Sequence, residues 1–327
     1  MAQPIHMNGP YRSDDNELLQ TILTDYRQAT ATLDQVAITF RNRESQLRKL
    51  MAPPEPSSVR LSPGPAPFTK SPGRTPSIAF YCLGKFRVEV DGTPVEILGR
   101  RKALKILKFL VQAQGRLCPR ELLLETFWPE SEPEAASNRL RVALHAARRF
   151  FATIANVGEV IVYQNGSYGL NSSLDLWIDA DEVEELWDQG VRFERDGRRT
   201  EAAQRYEAAE LRYRGDYLEE DLYEEWTLLR RERLRDTYLH LLGRLAAWCM
   251  EDRDYGSCIV RCHKLLAEDP YREDAYRLLM HCYVEMGQVA TSLHWYEICA
   301  DNLRKGLDAA PSLQTTDLQR QIMTGKV

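Results

Sequence analysis

No stretch of the sequence approaches the ~18 consecutive apolar residues that a membrane helix needs, so a chain embedded in a bilayer is excluded. Residues 1–10 lack the basic start and apolar run of a secretory signal. The seven cysteines are therefore expected to stay reduced in a cytosol, with no disulfide holding the fold. Also absent are the GxxxxGK[ST] phosphate loop, the GxSxG elbow, the HExxH zinc motif and any pair of carboxylates flanked by Gly-rich turns. No enzymatic activity, cofactor or metal is expected. A net charge of only −5 implies nothing by itself about a polyanionic partner, so its distribution matters more.

What is present is a globular composition, 43% hydrophobic and 28% charged, over 327 residues, more than one ordinary core holds. Residues 51–77 are crowded with proline, glycine and serine and read as an extended linker. Beyond it, 78–170 carries 13 basic and nine acidic residues, whereas 171–327 carries 21 basic and 32 acidic. A mildly basic domain is thus joined to a strongly acidic one. Before the linker, Leu19, Ile22, Tyr26, Ala29, Leu33, Val36, Phe40, Arg43, Leu47 and Leu50 alternate at spacings of three and four. This seam predicts a coiled-coil helix over 1–50 and a homodimer, although an amphipathic helix lying on the protein's own surface has the same pattern.

In 78–170, Phe80, Cys82, Phe86, Val88, Val90, Val95 and Ile97 alternate around Asp91-Gly92, which predicts short antiparallel strands. A helix is expected over 103–114, with Leu104, Leu107, Leu110 and Val111 as its apolar face, and a short one over 121–127 that stops at Trp128-Pro129. An acidic loop with Glu130, Glu132 and Glu134 follows. Residues 135–151, AASNRLRVALHAARRFF, form a helix whose core face is Leu140, Leu144, Ala147 and Phe151. Asn138, Val142, His145, Ala146 and Arg149 point the opposite way, flanked by Arg139, Arg141 and Arg148. Guanidinium groups suit guanine edges and phosphates, and Asn suits adenine, so the strip fits a major groove; an ordinary solvated basic face is the alternative. The alternation on either side of Gln164-Asn165-Gly166 then predicts a hairpin.

This order of elements resembles the OmpR-type winged helix-turn-helix. More closely it resembles the DNA-binding half of the Streptomyces antibiotic regulatory protein family, where that domain is joined to an all-helical bacterial transcriptional activation domain. The matching residues are Phe86, Val88, Asp91-Gly92, Arg101, Leu104, Leu107, Glu121-Leu122, Phe127-Trp128, Ala136, Asn138, Leu140, Val142, Leu144, Arg148-Arg149 and Tyr168-Gly169-Leu170. The resemblance, over roughly 78–325, implies a sequence-specific transcription activator. Helix 135–151 would lie in the major groove of promoter DNA, and Gln164, Asn165 and Ser167 would approach the adjacent minor groove. Trp128, Glu130, Glu132 and Glu134 would face RNA polymerase. Arg100, Arg101 and Lys102 are candidates for phosphate contacts, with ordinary surface charge as the other reading. The chain departs from the family at His145-Ala146-Ala147-Arg148, where Ser-Arg-Leu-Arg is common, and its wing tip lacks the usual basic residue.

After Asn171 strand signals fade. Helices are expected over 179–195 and 200–213, then a long one through about 250 carrying Leu222, Trp226, Leu229, Leu234, Leu241, Leu245 and Trp248, then 257–267, 272–286 and 289–306. A 34-residue shift superposes Leu242 on Tyr276 and Leu245 on Leu279, the tetratricopeptide period. The expected fold is therefore mixed: an α+β winged helix followed by an all-α TPR-like solenoid over 171–327, preceded by the coiled coil. Cys258, Cys262, His263, His281, Cys282 and Cys299 read as packed core rather than as a metal site. A small effector, such as an anionic nucleotide held by Arg195, Arg198 and Arg199, is a further reading of this half. So is an interaction scaffold whose winged helix has lost DNA binding. The cytoplasm, on the nucleoid, is the expected location.

Overall fold

A computed structural model of the protein describes residues 77–95, 97, 101–152, 154 and 157–326. The chain divides into two units, 1–65 and 66–327, and every described residue lies in the second. The expected coiled coil with its seam from Leu19 to Leu50, the linker up to residue 76, and Arg100 lie outside the described residues.

The first sheet forms from β1 (Ser77–Tyr81), β2 (Arg87–Val90) and β3 (Thr93–Pro94), with Ile78, Phe80, Val88 and Val90 turned into the core as their alternation requires. Asp91 and Gly92, at φ 48° and 74°, make the tight turn between β2 and β3. Next come α1 (Arg101–Gln112), the two-residue strand β4 (Cys118–Pro119), α2 (Arg120–Phe127) and α3 (Pro133–Arg149). The hairpin β5 (Ile161–Gln164) and β6 (Ser167–Leu170) turns at Asn165 and Gly166, both at positive φ, and β4 completes its sheet in the order β4-β6-β5. The core side of α1 is Ala103, Ile106, Leu107, Leu110 and Val111; Leu104 is only half-buried.

The expected boundary at residue 170 does not coincide with a break. A strand that the fading alternation did not announce, β7 (Asp175–Ile178), joins the first sheet by pairing parallel to β1, Phe80 opposite Ile178. It runs directly into α4 (Asp179–Arg195), so sheet and helical half share one backbone. Asp179 sits at this junction, buried, and accepts hydrogen bonds from the backbone N–H groups of Cys82 (2.7 Å), Leu83 (3.0 Å) and Ala180 (2.7 Å). Burial pushes its carboxyl up to about 6 even against those three donors.

The helical half continues with α5 (Arg199–Arg212), a 3₁₀ turn at Glu219–Asp221, α6 (Glu225–Glu251), α7 (Tyr255–Glu268), α8 (Glu273–Glu285), α9 (Val289–Leu307) and α10 (Leu313–Met323). The last of these was not anticipated. The repeat is visible in the turns. Arg198, Asp254 and Gln288 each donate their N–H to a carbonyl five residues back, on Phe193, Cys249 and Tyr283, at 2.8, 2.8 and 2.7 Å. The residues before them, Gly197, Arg253 and Gly287, all adopt positive φ (72°, 60°, 73°). The last two turns are 34 residues apart. In the α4–α5 pair a Cβ on Gly190 would fall 2.3 Å from the Tyr206 ring, so only glycine permits that approach. Of the apolar positions expected to be core in the long helix, Leu229 is instead exposed, because the helix buries the side bearing Thr227, Arg230, Leu234 and Leu241, and Leu222 is exposed in the turn that precedes the helix. Among the described residues, no helix is long and apolar enough to cross a membrane.

The two halves pack through a charged seam. Lys108 of α1 is buried with its ammonium 2.5 Å from Asp221, Lys105 bonds Glu224, and the Gln112 amide donates to the Trp226 carbonyl at 2.6 Å. Beside this seam, within the helical half, Arg230 of α6 is buried against Asp181 and Glu184 of α4. Phe109, Phe127 and Trp226 close the seam with edge-on ring contacts at 5.4–6.4 Å.

Candidate nucleic-acid interface

Helix α3 forms because Pro133 opens its first turn and nothing within it breaks the pattern; Ala136, Leu140, Ala143, Leu144 and Ala147 bury one side. Asn138, Arg139, Arg141, Val142, His145 and Arg149 are consequently exposed along the other. Arg139 donates to the Ser131 hydroxyl (2.7 Å) and Arg141 reaches the Asn138 carboxamide (3.4 Å). Both contacts are exposed and local, so neither removes the guanidinium from solvent. Among the described residues Arg149 and His145 have no hydrogen-bonding or ionic partner. Val142 leaves an apolar spot within this polar strip.

Two members of the predicted set behave differently. Arg148 bonds the Ile161 carbonyl at 3.0 Å and pairs with Glu159 at 3.2 Å, so it braces helix against hairpin rather than joining the open strip. Ala146, expected on the open side, is half-buried against the core. Of the positively charged start of α1, Arg101 is exposed, but the Lys102 ammonium turns back to the Phe127 carbonyl (3.1 Å) and lies over the Phe127 and Trp128 rings.

The wing projects beside α3. Gln164 and Asn165 are exposed at its tip and Ser167 is half-buried, while Tyr163 and Tyr168 pack across the strands with ring centroids 4.6 Å apart. Sequence reasoning missed the basic residues that accompany it. Through β4, the Arg120 N–H bonds the Gly166 carbonyl at the wing turn (3.1 Å) while its guanidinium bonds Ser137 on α3. Arg116 is exposed nearby, on the segment that Gly169 approaches. The signal was present in Arg116 and Arg120 flanking Cys118-Pro119, but a two-residue strand has no periodicity to read.

In the loop between α2 and α3, Glu130, Glu132 and Glu134 are exposed and Trp128 is half-buried on Phe127. The arginines read as an anion site are largely engaged. Arg198 pairs with Glu201 at 2.8 Å, and Arg199 pairs with Glu251 and Asp252 at 2.8 Å each, leaving only Arg195 open. Cys258, Cys262, Cys282 and Cys299 are buried between helices, and among the described residues no group of three or more His, Cys, Asp and Glu side chains is arranged to hold a metal ion.

Comparison with known proteins agrees with this architecture. Residues 94–167 match the family model described as transcriptional regulatory protein, C terminal, and residues 178–323 match that of the bacterial transcriptional activator domain. Among solved structures, Mycobacterium tuberculosis EmbR in complex with a low affinity phosphopeptide is similar in fold, with a TM-score of 0.63 at 20% identity over 77% of this chain. The chain spans 66% of the length of that relative. The C-terminal TPR-containing domain of a putative FK506-binding protein from Plasmodium falciparum matches with a TM-score of 0.34 and 16% identity, over 45% of this chain and 89% of that one. No curated protein matches the chain.

Proposed function

The chain belongs to the regulators that resemble the Streptomyces antibiotic regulatory proteins, joining an OmpR-type winged helix to a bacterial transcriptional activator domain, and on that premise we propose that it is an activator that binds promoter DNA and engages RNA polymerase. The observation that carries this reading is the exposed, unpaired strip of α3 beside the wing. Asn138, Arg139, Arg141, Val142, His145 and Arg149 enter the major groove, the valine suiting a thymine methyl and the polar groups base edges and phosphates. Gln164, Asn165 and Ser167 reach the adjacent minor groove by hydrogen bonding. Arg101, Arg116 and Arg120 meet the phosphates that flank it, and Arg148 holds helix and wing at a fixed separation. The loop bearing Trp128, Glu130, Glu132 and Glu134 presents carboxylates to RNA polymerase, and the seam over residues 19–50 pairs two copies. The protein is non-catalytic and works in the cytoplasm, on the nucleoid; Arg195 alone is too little to hold an anionic effector.

The deciding experiment is DNA affinity at several salt concentrations, on a fragment selected from the genome and on a scrambled control. Displacement of phosphate counterions gives a negative slope of log affinity against log salt of about 0.9 per contacted phosphate, together with preference for the selected fragment. Equal affinity for the two fragments, or no binding by folded protein, overturns the reading and moves weight to a protein-interaction scaffold.

A further inference from the structure

Beyond the nucleic-acid interface, the helical half carries an apolar surface with no partner among the described residues. Leu228 (53% exposed) and Leu229 (84%) lie in the first turns of α6, the longest helix described, and Leu222 (51%) and Tyr223 (99%) lie in the short segment that leads into it. The opposite side of that helix is buried, so Leu228 and Leu229 face water from a helix packed along its other side. Isolated surface leucines are ordinary; four exposed large apolar residues within eight positions are not.

The charge around this group has one sign. Glu225, Glu232 and Asp236 fall on the same side of α6 as Leu229, are exposed, and form no ion pair among the described residues. The basic residues near them are engaged elsewhere: Arg230 with Asp181 and Glu184, Arg233 with Glu184 at 2.5 Å, and Arg235 with Glu268 at 3.6 Å. What remains is a leucine-bearing face of α6 set with free carboxylates, with Leu222 and Tyr223 exposed just ahead of it. Such a face repels nucleic acid. It is complementary to a helix with apolar residues along one stripe and lysine or arginine beside it. We propose that the exposed face of the first half of α6 docks a basic amphipathic helix of a partner protein. Its base is firm, because Trp226 packs on Phe109 and Phe127 of the winged half, so the docked helix would lie at the seam between the two halves.

The test uses the full chain, titrated with a fluorescent synthetic peptide of leucine and lysine at helical spacing and with its counterpart carrying glutamate in place of lysine. The lysine peptide is expected to bind. The pair Leu228→Ser and Leu229→Ser, and separately Glu225→Gln with Glu232→Gln, are each expected to weaken it at least tenfold. Leu313→Ser, at an exposed leucine on α10 of the same acidic half, is expected to leave it unchanged. Equal binding of both peptides, equal loss on Leu313→Ser, or no binding overturns the proposal. A mass in light scattering that rises with concentration, and stops rising on Leu228→Ser with Leu229→Ser, also overturns it by assigning the face to a second copy. DNA affinity of the variants, expected unchanged, separates failure of this proposal from failure of the DNA-binding one.

Discussion

Arginine is used in opposite ways in the two halves of the described structure. On α3, Arg149 has no ionic partner among the described residues, and Arg139 and Arg141 make only exposed contacts to neutral groups. In the helical half, Arg199, Arg212, Arg230, Arg233, Arg244, Arg261 and Arg272 are each matched to carboxylates. The acidic residues of 171–327 therefore engage many of that half's own arginines, while Arg139, Arg141 and Arg149 of α3 stand without a carboxylate among the described residues. Net charge of −5 conceals both facts. The difference teaches that a recognition surface is identified by which charges lack partners, not by how many there are.

The sharpest way to break the comparison is at the seam, where a basic residue of the winged half is buried by the helical half. Asp221→Ala leaves Lys108, only 2% exposed, without its close partner. A loss of about 3–5 kcal/mol in unfolding free energy is expected, because an uncompensated buried ammonium is costly; Lys108→Met, which removes the charge, should cost far less. Denaturant titration of the two variants checks this, and equal costs would show that the carboxylate matters only for packing. On the open side the expectation reverses. Arg149→Ala and Asn138→Ala should each weaken promoter binding by about 1–3 kcal/mol while leaving the melting temperature unmoved. Full affinity in both would remove this face of α3 from the groove.

Much of the winged half was legible because its signals are local. Asp91-Gly92 and Asn165-Gly166 name their turns by residue type, and Leu140, Leu144 and Ala147 fix which side of α3 is left exposed. What escaped depends on partners distant in sequence. β7 exists because Asp175–Ile178 meets β1 almost a hundred residues earlier, and β4 because Cys118–Pro119 meets the wing. The same reason hid the fates of individual charges. Nothing near Lys102 or Arg148 in the sequence says that one turns to the Phe127 carbonyl and the other to Glu159. Leu229 continues a helical period onto a side of α6 that no described element covers, and Leu222 falls before the helix begins, so periodicity mistook a surface for core.

The junction between the halves offers a subtler probe. The buried Asp179 carboxyl is raised to about 6, whereas an ordinary Asp titrates near 4, so between about pH 4 and 6 the folded chain holds a proton that the unfolded chain lacks. Stability from this group therefore rises as pH falls through 6 and is lost as pH rises. His263 and His281, whose imidazoles are lowered by burial, act in the opposite direction but are common to parent and variant. The difference in melting temperature between the parent and Asp179→Asn is expected to shift in favour of the parent from pH 7 to pH 5. A constant difference would show that Asp179 titrates as a free carboxylate.

The smallest expected effect tests the repeat itself. Three turns of the helical half share one backbone geometry, with glycine at the positive-φ position in two of them and Arg253 in the third. A side chain there crowds its own carbonyl, a cost glycine avoids, whereas glycine in the unfolded chain has more freedom to lose. Arg253 forms no ion pair that would hold it in place among the described residues. With φ at 60° the strain outweighs the entropy, and Arg253→Gly should stabilise the chain by about 0.5–1 kcal/mol, read as a rise in melting temperature. Gly287→Ala, at the matching position 34 residues later, should lower it by a similar amount, since its φ of 73° is as unfavourable for a side chain. Opposite signs at the two sites would establish that both turns belong to one repeating unit; a loss at both would mean that the arginine side chain packs in a way the shared backbone does not require.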